Sequence, residues 1–137
     1  MSIIKDLGDG LILRHATIHD IDELSAFNGM AHVYVGATEP DKGIAAWTRD
    51  LMNGKHPTTG ASDFLVVEDT RKQAIVSTTN LISQVWAYDG IPFKLGRPEL
   101  VATLPDYRGE GRQSRRLLDG LPRPLAGPAA GAAAGPP

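Results

Sequence analysis

The stretch from Glu99 to Gln113 places the tightest constraint on how this chain can fold. Leu100 to Leu104 is a short apolar run of strand length, and Pro105 ends it. Gly109 and Gly111 follow, and a basic segment that could open a helix comes next. Free backbone N–H groups in such a turn, together with the positive end of a helix dipole, favour a bound anion. The sequence therefore predicts a phosphate-binding turn, and the alternative is a solvated glycine turn without a ligand.

Two helices are predicted in the first half of the chain. Residues 10–16 form a short apolar segment that predicts a strand, and Thr17 and Asp20 after it have the spacing of a capping box. Apolar residues at helical spacing follow, at Ile21, Leu24 and Phe27. The second helix is predicted from Asp41, a capping residue, to Met52, with a stop at Asn53-Gly54.

Three further strands are predicted between the second helix and the glycine turn. Phe64 to Val67 is a continuous apolar run, as expected for a central strand that is covered on both faces. Ala74 to Tyr88 and Ile91 to Leu104 flank Asp89-Gly90, which predicts a two-residue hairpin turn of type I′. Gly96 and Pro98 interrupt the returning strand, and we expect a bulge or bend there.

The segment Arg108-Gly109-Glu110-Gly111-Arg112-Gln113, preceded by Thr103-Leu104-Pro105-Asp106-Tyr107, resembles the acetyl-CoA site of the GCN5-related N-acetyltransferases, the GNAT family. The family pattern is Arg or Gln, two residues, Gly, one residue, and Gly or Ala; Gln113 departs from it at the last position. The order of predicted elements is similar to the first half of the family fold over residues 10–113. The resemblance implies an α/β (α+β) fold, with a mixed, mainly antiparallel sheet and flanking helices.

This resemblance also implies a reaction, the acetyl-CoA-dependent transfer of an acetyl group to a primary amine of a small molecule or peptide. In the family, backbone groups of the strand before the turn hold the cofactor arm, and the turn holds the pyrophosphate. The residues that correspond here are Val101, Ala102, Thr103, Arg108, Gly109, Glu110, Gly111, Arg112 and Gln113. Glu99 is the candidate general base, since some members place there a carboxylate that acts through water; the alternative is an exposed strand glutamate. The region from Gly29 to Pro40 borders the acceptor in the family; the alternative is that it is only a packed helix end and loop.

The last part of the chain differs in composition from the rest. We interpret residues 1–113 as the N-terminal portion of an acetyltransferase domain, and residues 114–137, rich in Ala, Gly and Pro, as a disordered tail. Pro122 and Pro124 would cut short a helix that starts near Arg112. We therefore expect the C-terminal half of the fold to be missing or replaced, by a frameshift, a truncation or a genuine flexible tail.

A shortened fold has two functional consequences. Acetyl transfer is expected to be impaired, and the alternative function is a non-catalytic CoA-binding or interaction module. An open sheet edge also favours addition of strands from a second copy, which predicts a homodimer or aggregation instead of a stable monomer.

Composition excludes several other classes of function. The net charge of −2 does not favour a nucleic-acid or acidic-membrane partner, and there is no cysteine for a thiolate nucleophile or a Cys-based metal site. His15 and His19 are four residues apart, but one ends a strand and the other begins a helix, so no metal site is predicted. The N-terminus has no signal-peptide pattern, and no apolar run approaches the ~20 residues of a membrane span. We expect a cytoplasmic protein.

Overall fold

The structure is a computed structural model that describes residues 3–33 and 35–108. Its sheet has the order β1-β2-β3-β4-β5, and each pair of neighbours is antiparallel. The strands are β1 (Ile3–Gly8), β2 (Leu11–His15), β3 (Phe64–Asp69), β4 (Ala74–Tyr88) and β5 (Ile91–Thr103). The helices are α1 (Ile21–Ala31) and α2 (Lys42–Met52), and short 3-10 turns span Ile18–Asp20, Ala61–Asp63 and Pro105–Tyr107. The predicted fold class, a mainly antiparallel sheet with flanking helices, is confirmed.

The central position of β3 follows from its continuous apolar sequence. Phe64 and Val66 pack with α1 and α2 in one core cluster, while Leu65 and Val67 pack with Leu13 in a second cluster. Since successive side chains of a strand point to opposite faces, both faces of β3 are covered. All four residues are at most 2% exposed, which confirms the prediction of a central, doubly covered strand.

Local capping chemistry defines both helices as predicted. Thr17 and Asp20 form the capping box ahead of α1. At α2, Asp41 Oδ1 accepts a hydrogen bond of 3.0 Å from the Ile44 N–H, and the chain leaves the helix at Asn53 with Gly54 at a φ of +82°. Such caps satisfy backbone groups that have no partner within the helix.

The strand β1 was not predicted from the sequence. It pairs with β2 across a tight turn in which Asp9 has a φ of +54° and Gly10 a φ of +78°. Ile3 and Ile4 are 55% and 41% exposed. A strand with so little burial lacks the alternating apolar pattern by which strands are identified in a sequence.

The long β4–β5 hairpin has the predicted turn, and its bulge lies further along β5 than predicted. Asp89 and Gly90 have φ values of +49° and +76°, as a type I′ turn requires. Pairing then continues without a shift past Gly96 and Pro98, so the strand has a bulge, as predicted, but at Leu100 and Val101 instead of at those two residues. Gly96 leaves room for Leu81, whose Cδ1 would lie 3.0 Å from an added Cβ. Pro98 is tolerated because β5 pairs, within the described residues, with β4 alone.

Residues 109–137 lie outside the described part of the chain, and with them the glycines of the predicted turn and the predicted tail. In the described part, neither helix is long and apolar enough to cross a membrane.

Candidate active site

The β4–β5 hairpin contains a β-bulge, in which Leu100 and Val101 of β5 together face the single residue Thr79 of β4. Leu100 has a φ of +52°, a left-handed conformation that costs a non-glycine residue on the order of 1–3 kcal/mol. Its side chain is 6% exposed and packs in the core cluster that faces the helices. This burial offsets the strain, and the bulge changes the direction of the edge strand immediately before the predicted phosphate turn.

Glu99 is the residue immediately before the bulge. It pairs with Asn80 of β4, and its Oε1 lies 2.8 Å from Arg97 Nε. The Glu99 side chain is 32% exposed, so solvent reaches the carboxylate while Arg97 restricts its orientation. The structure thus places the candidate base at the bulge, and its catalytic role stays a prediction.

Val101, Ala102 and Thr103 form the end of β5. Val101 is 42% exposed, whereas Thr103 is 8% exposed and its hydroxyl lies 2.7 Å from Ser77 Oγ. The Ser77 hydroxyl also donates to the Ala102 carbonyl at 3.1 Å, and Arg108 Nε donates to the Thr103 carbonyl at 2.7 Å. Arg108, predicted to face the pyrophosphate, therefore also anchors the start of the turn to β5.

The turn after β5 is held in place by Tyr107. Its hydroxyl donates a 2.8 Å hydrogen bond to Asp69 Oδ2, and Lys72 Nζ lies 5.4 Å from its ring centroid. The Tyr107 hydrogen bond is the main reason that the pKa of Asp69 lies below its ordinary value. Tyr107 therefore has a structural role, since it fixes the turn to the end of β3. Gly109, Glu110, Gly111, Arg112 and Gln113 lie outside the described residues, and their phosphate-binding role stays a prediction.

The fold places His32, a residue of the region from Gly29 to Pro40, near the bulge. His32 caps the C-terminus of α1, and its ring lies close to the Leu100 backbone. Burial lowers the pKa of His32, and the interaction with Leu100 opposes this only in part, so the neutral imidazole is favoured. Its Nε2 is buried without a hydrogen-bond partner among the described residues. No local sequence signal could show this, because the contact joins residues 68 positions apart in the chain.

Within the described ranges, no group of three or more His, Cys, Asp or Glu side chains is arranged so that it could hold a metal ion. His15 instead donates from Nδ1 to the Ser62 carbonyl at 2.9 Å, and His19 is exposed.

Comparison with known proteins relates this arrangement to one family. A family model described as an acetyltransferase (GNAT) domain matches residues 13–123. No curated protein sequence matches the chain closely enough for comparison.

Two solved structures are similar in fold. Glucosamine-6-phosphate N-acetyltransferase from Arabidopsis thaliana superposes with a TM-score of 0.53 at 15% identity, over 80% of this chain and 69% of that one. An acetyltransferase candidate from Pyrococcus horikoshii gives a TM-score of 0.51 at 16% identity, over 85% of this chain and 36% of that one. Identities this low establish the similarity of fold alone.

Proposed function

Because the chain belongs to the acetyltransferase (GNAT) domain family, we propose that it is an acetyl-CoA-dependent N-acyltransferase that acetylates a primary amine. The observation that best supports this proposal is the bulge at Leu100, which sets Glu99 beside the end of an edge strand. Strained backbone that is held in place by a buried side chain is typical of functional sites.

The end of β5 offers an acetyl-CoA molecule backbone groups to bind. Within the described residues β5 pairs with β4 alone, and an edge strand presents unpaired N–H and C=O groups on its outer side. Val101, Ala102 and the N–H of Thr103 would hold the extended arm, since the Thr103 carbonyl already accepts from Arg108. The pyrophosphate would lie at the turn from Arg108 to Gln113, and the bound molecule supplies the thioester carbonyl that is attacked.

The proposed transfer removes two protons from a protonated acceptor amine, one before the attack and one as the amide forms. A primary amine like that of lysine has a pKa of about 10 and is largely protonated at pH 7. Glu99 would accept the first proton, after which the amine nitrogen bonds to the acetyl carbon. The carbon–sulfur bond then breaks, and the second proton passes from the nitrogen to the departing thiolate, so that CoA leaves as the thiol. Arg97, in contact with Glu99, would hold the carboxylate toward the acceptor.

The acceptor is proposed to be a small-molecule or peptide amine in the cytoplasm. The homodimer expected from an open sheet edge stays a prediction. Within the described residues β1 and β5 each pair on one side only, and each has an exposed isoleucine near its start, Ile3 at 55% and Ile91 at 61%.

Calorimetric titration of acetyl-CoA into the purified chain tests the binding step. Heat of binding is expected for the wild type and is expected to be lost in Gly111→Val, because a Cβ would block the approach of phosphate to the backbone. Gly60→Val is the control, since an added Cβ there meets nothing within 4 Å and the backbone is extended. Equal affinity in Gly111→Val and Gly60→Val would reject the phosphate turn, and no binding by the wild type would reject the proposed function.

A further inference from the structure

Asn80 of β4 is a buried polar residue, and hydrogen bonds to the described residues do not explain its presence there. Its side chain is fully buried, and neither Oδ1 nor Nδ2 has a hydrogen-bond partner among the described residues. A buried polar group without a partner costs about 1–3 kcal/mol, so an apolar residue would make a more stable sheet at this position. An asparagine here therefore indicates that the carboxamide binds something.

The pairing of the strands shows what lies beside the carboxamide. Asn80 and Glu99 are directly opposite in the ladder, so their side chains project from the same face. Such pairs have Cβ atoms about 4.5–5.5 Å apart. Phe64, which is opposite Asn80 on the other side and packs in the helix-facing core cluster, identifies this face as the one under the helices.

A second unpaired polar atom lies on the helix side of the same bulge. His32, at the end of α1, is close to the Leu100 backbone, and its Nε2 is buried without a partner among the described residues. A buried water in a protein commonly makes about three hydrogen bonds to polar groups that lack other partners. Asn80 and Glu99 are paired across the ladder, and His32 contacts the backbone of Leu100, the residue after Glu99, so three polar side chains lie beside the bulge.

We propose that Asn80 is a positioning residue whose carboxamide holds the water through which Glu99 takes the proton of the acceptor amine. In this step the ammonium N–H bond breaks and its proton passes to the water oxygen. A proton of that water passes to the Glu99 carboxylate at the same time, and the neutral amine is left to attack the thioester. The inference rests on the proposed function, since it names the residue that orients its base.

The experiment compares Asn80→Leu with Thr79→Val. Thr79 is also fully buried, and its hydroxyl has no hydrogen-bond partner in the described part of the chain, but as the adjacent residue it projects from the opposite face, away from Glu99. The substrates are acetyl-CoA and a panel of primary amines. Asn80→Leu is expected to lower kcat at least tenfold, which is part of the ~10²–10⁴-fold rate increase that a positioned base contributes. The KM of Asn80→Leu for acetyl-CoA is expected to stay unchanged, and the acidic limb of its pH profile is expected to shift. Thr79→Val is expected to match the wild type.

A crystal structure of the wild type is expected to show an ordered water within about 3 Å of both Asn80 and Glu99.

The outcomes separate this inference from the proposed function. An active wild type with unchanged kcat and pH profile in Asn80→Leu overturns the positioning role alone. A wild type that turns over no amine overturns the proposed function and this inference with it. Asn80→Ala, which introduces no atom that could clash, is measured in the same way and decides the question if the leucine variant does not fold.

Discussion

Arg14, Asp20 and Glu68 form a buried charge cluster that joins the sheet to the first helical turn. Arg14 donates to both carboxylate oxygens of Asp20, at 2.8 and 2.9 Å, and its Nη2 lies 3.4 Å from Glu68 Oε1. The side chains of Arg14 and Asp20 are 5% and 12% exposed. Asp20 also accepts from the Thr17 N–H at 2.7 Å, so one carboxylate serves both the helix cap and the buried arginine.

The charge on Asp20 makes the stability depend on pH. Burial by itself would raise the pKa of Asp20, but hydrogen bonds from Arg14 and Thr17 outweigh it and lower the pKa below its ordinary value. A carboxylate with a lowered pKa stabilises the fold above the unfolded-state value of about 3.9. This stabilisation is then lost as the pH falls through the lower, folded-state value.

Asp20→Asn is therefore expected to reduce the free energy of unfolding at pH 7 by about 3–5 kcal/mol, because it leaves the Arg14 charge buried without its main partner. Urea denaturation at pH 7 and at pH 3 measures this, and the difference between the two proteins is expected to shrink at the lower pH. Asp22→Asn is the control, since its 2.8 Å ion pair with Arg49 is exposed and worth less than about 1 kcal/mol. Equal losses in the two variants would show that the cluster is not buried as described.

At the scale of elements, the sequence predicted structure well where the signals are local. The capping residues Thr17, Asp20 and Asp41 and the Asp89-Gly90 turn act within four residues, so their patterns identify the element ends directly. The bulge at Leu100 has no such signal, because leucine rarely has a positive φ. Its conformation depends on contacts with helices more than 40 residues away in the sequence, which no local pattern contains.

The cap of α2 gives a prediction for one element. Asp41→Ala is expected to lower the free energy of unfolding by about 1 kcal/mol, because the Ile44 N–H loses its acceptor. Asp41→Asn retains a side-chain oxygen and is expected to stay within a few tenths of a kcal/mol of the wild type. Thermal unfolding of the three proteins measures both changes. A loss as large in the asparagine variant as in the alanine variant would mean that the charge of Asp41, rather than its hydrogen bond, stabilises the helix.

At the scale of the whole molecule, the order of elements from β2 to β5 followed from the sequence, and so did the position of Glu99 near the end of the edge strand. The sequence did not show that Asn80 and His32 belong to the same region, because their proximity to Glu99 and Leu100 arises from pairing and packing. Residues that act together but lie on separate elements are identified by the fold.

The proposed transfer of an acetyl group by this chain depends on Glu99. The most direct measurement is the release of CoA thiol from acetyl-CoA, with and without primary amines, by the wild type, Glu99→Gln and Asp50→Asn. Asp50 is an exposed residue of α2, so its variant loses the same charge outside the proposed site. We predict amine-dependent release by the wild type and Asp50→Asn, and a rate lower by about 10²–10⁴ in Glu99→Gln. Equal rates in all three proteins, or acetyl-CoA binding without any amine-dependent release, would contradict the claim, and the second result would indicate a non-catalytic CoA-binding module.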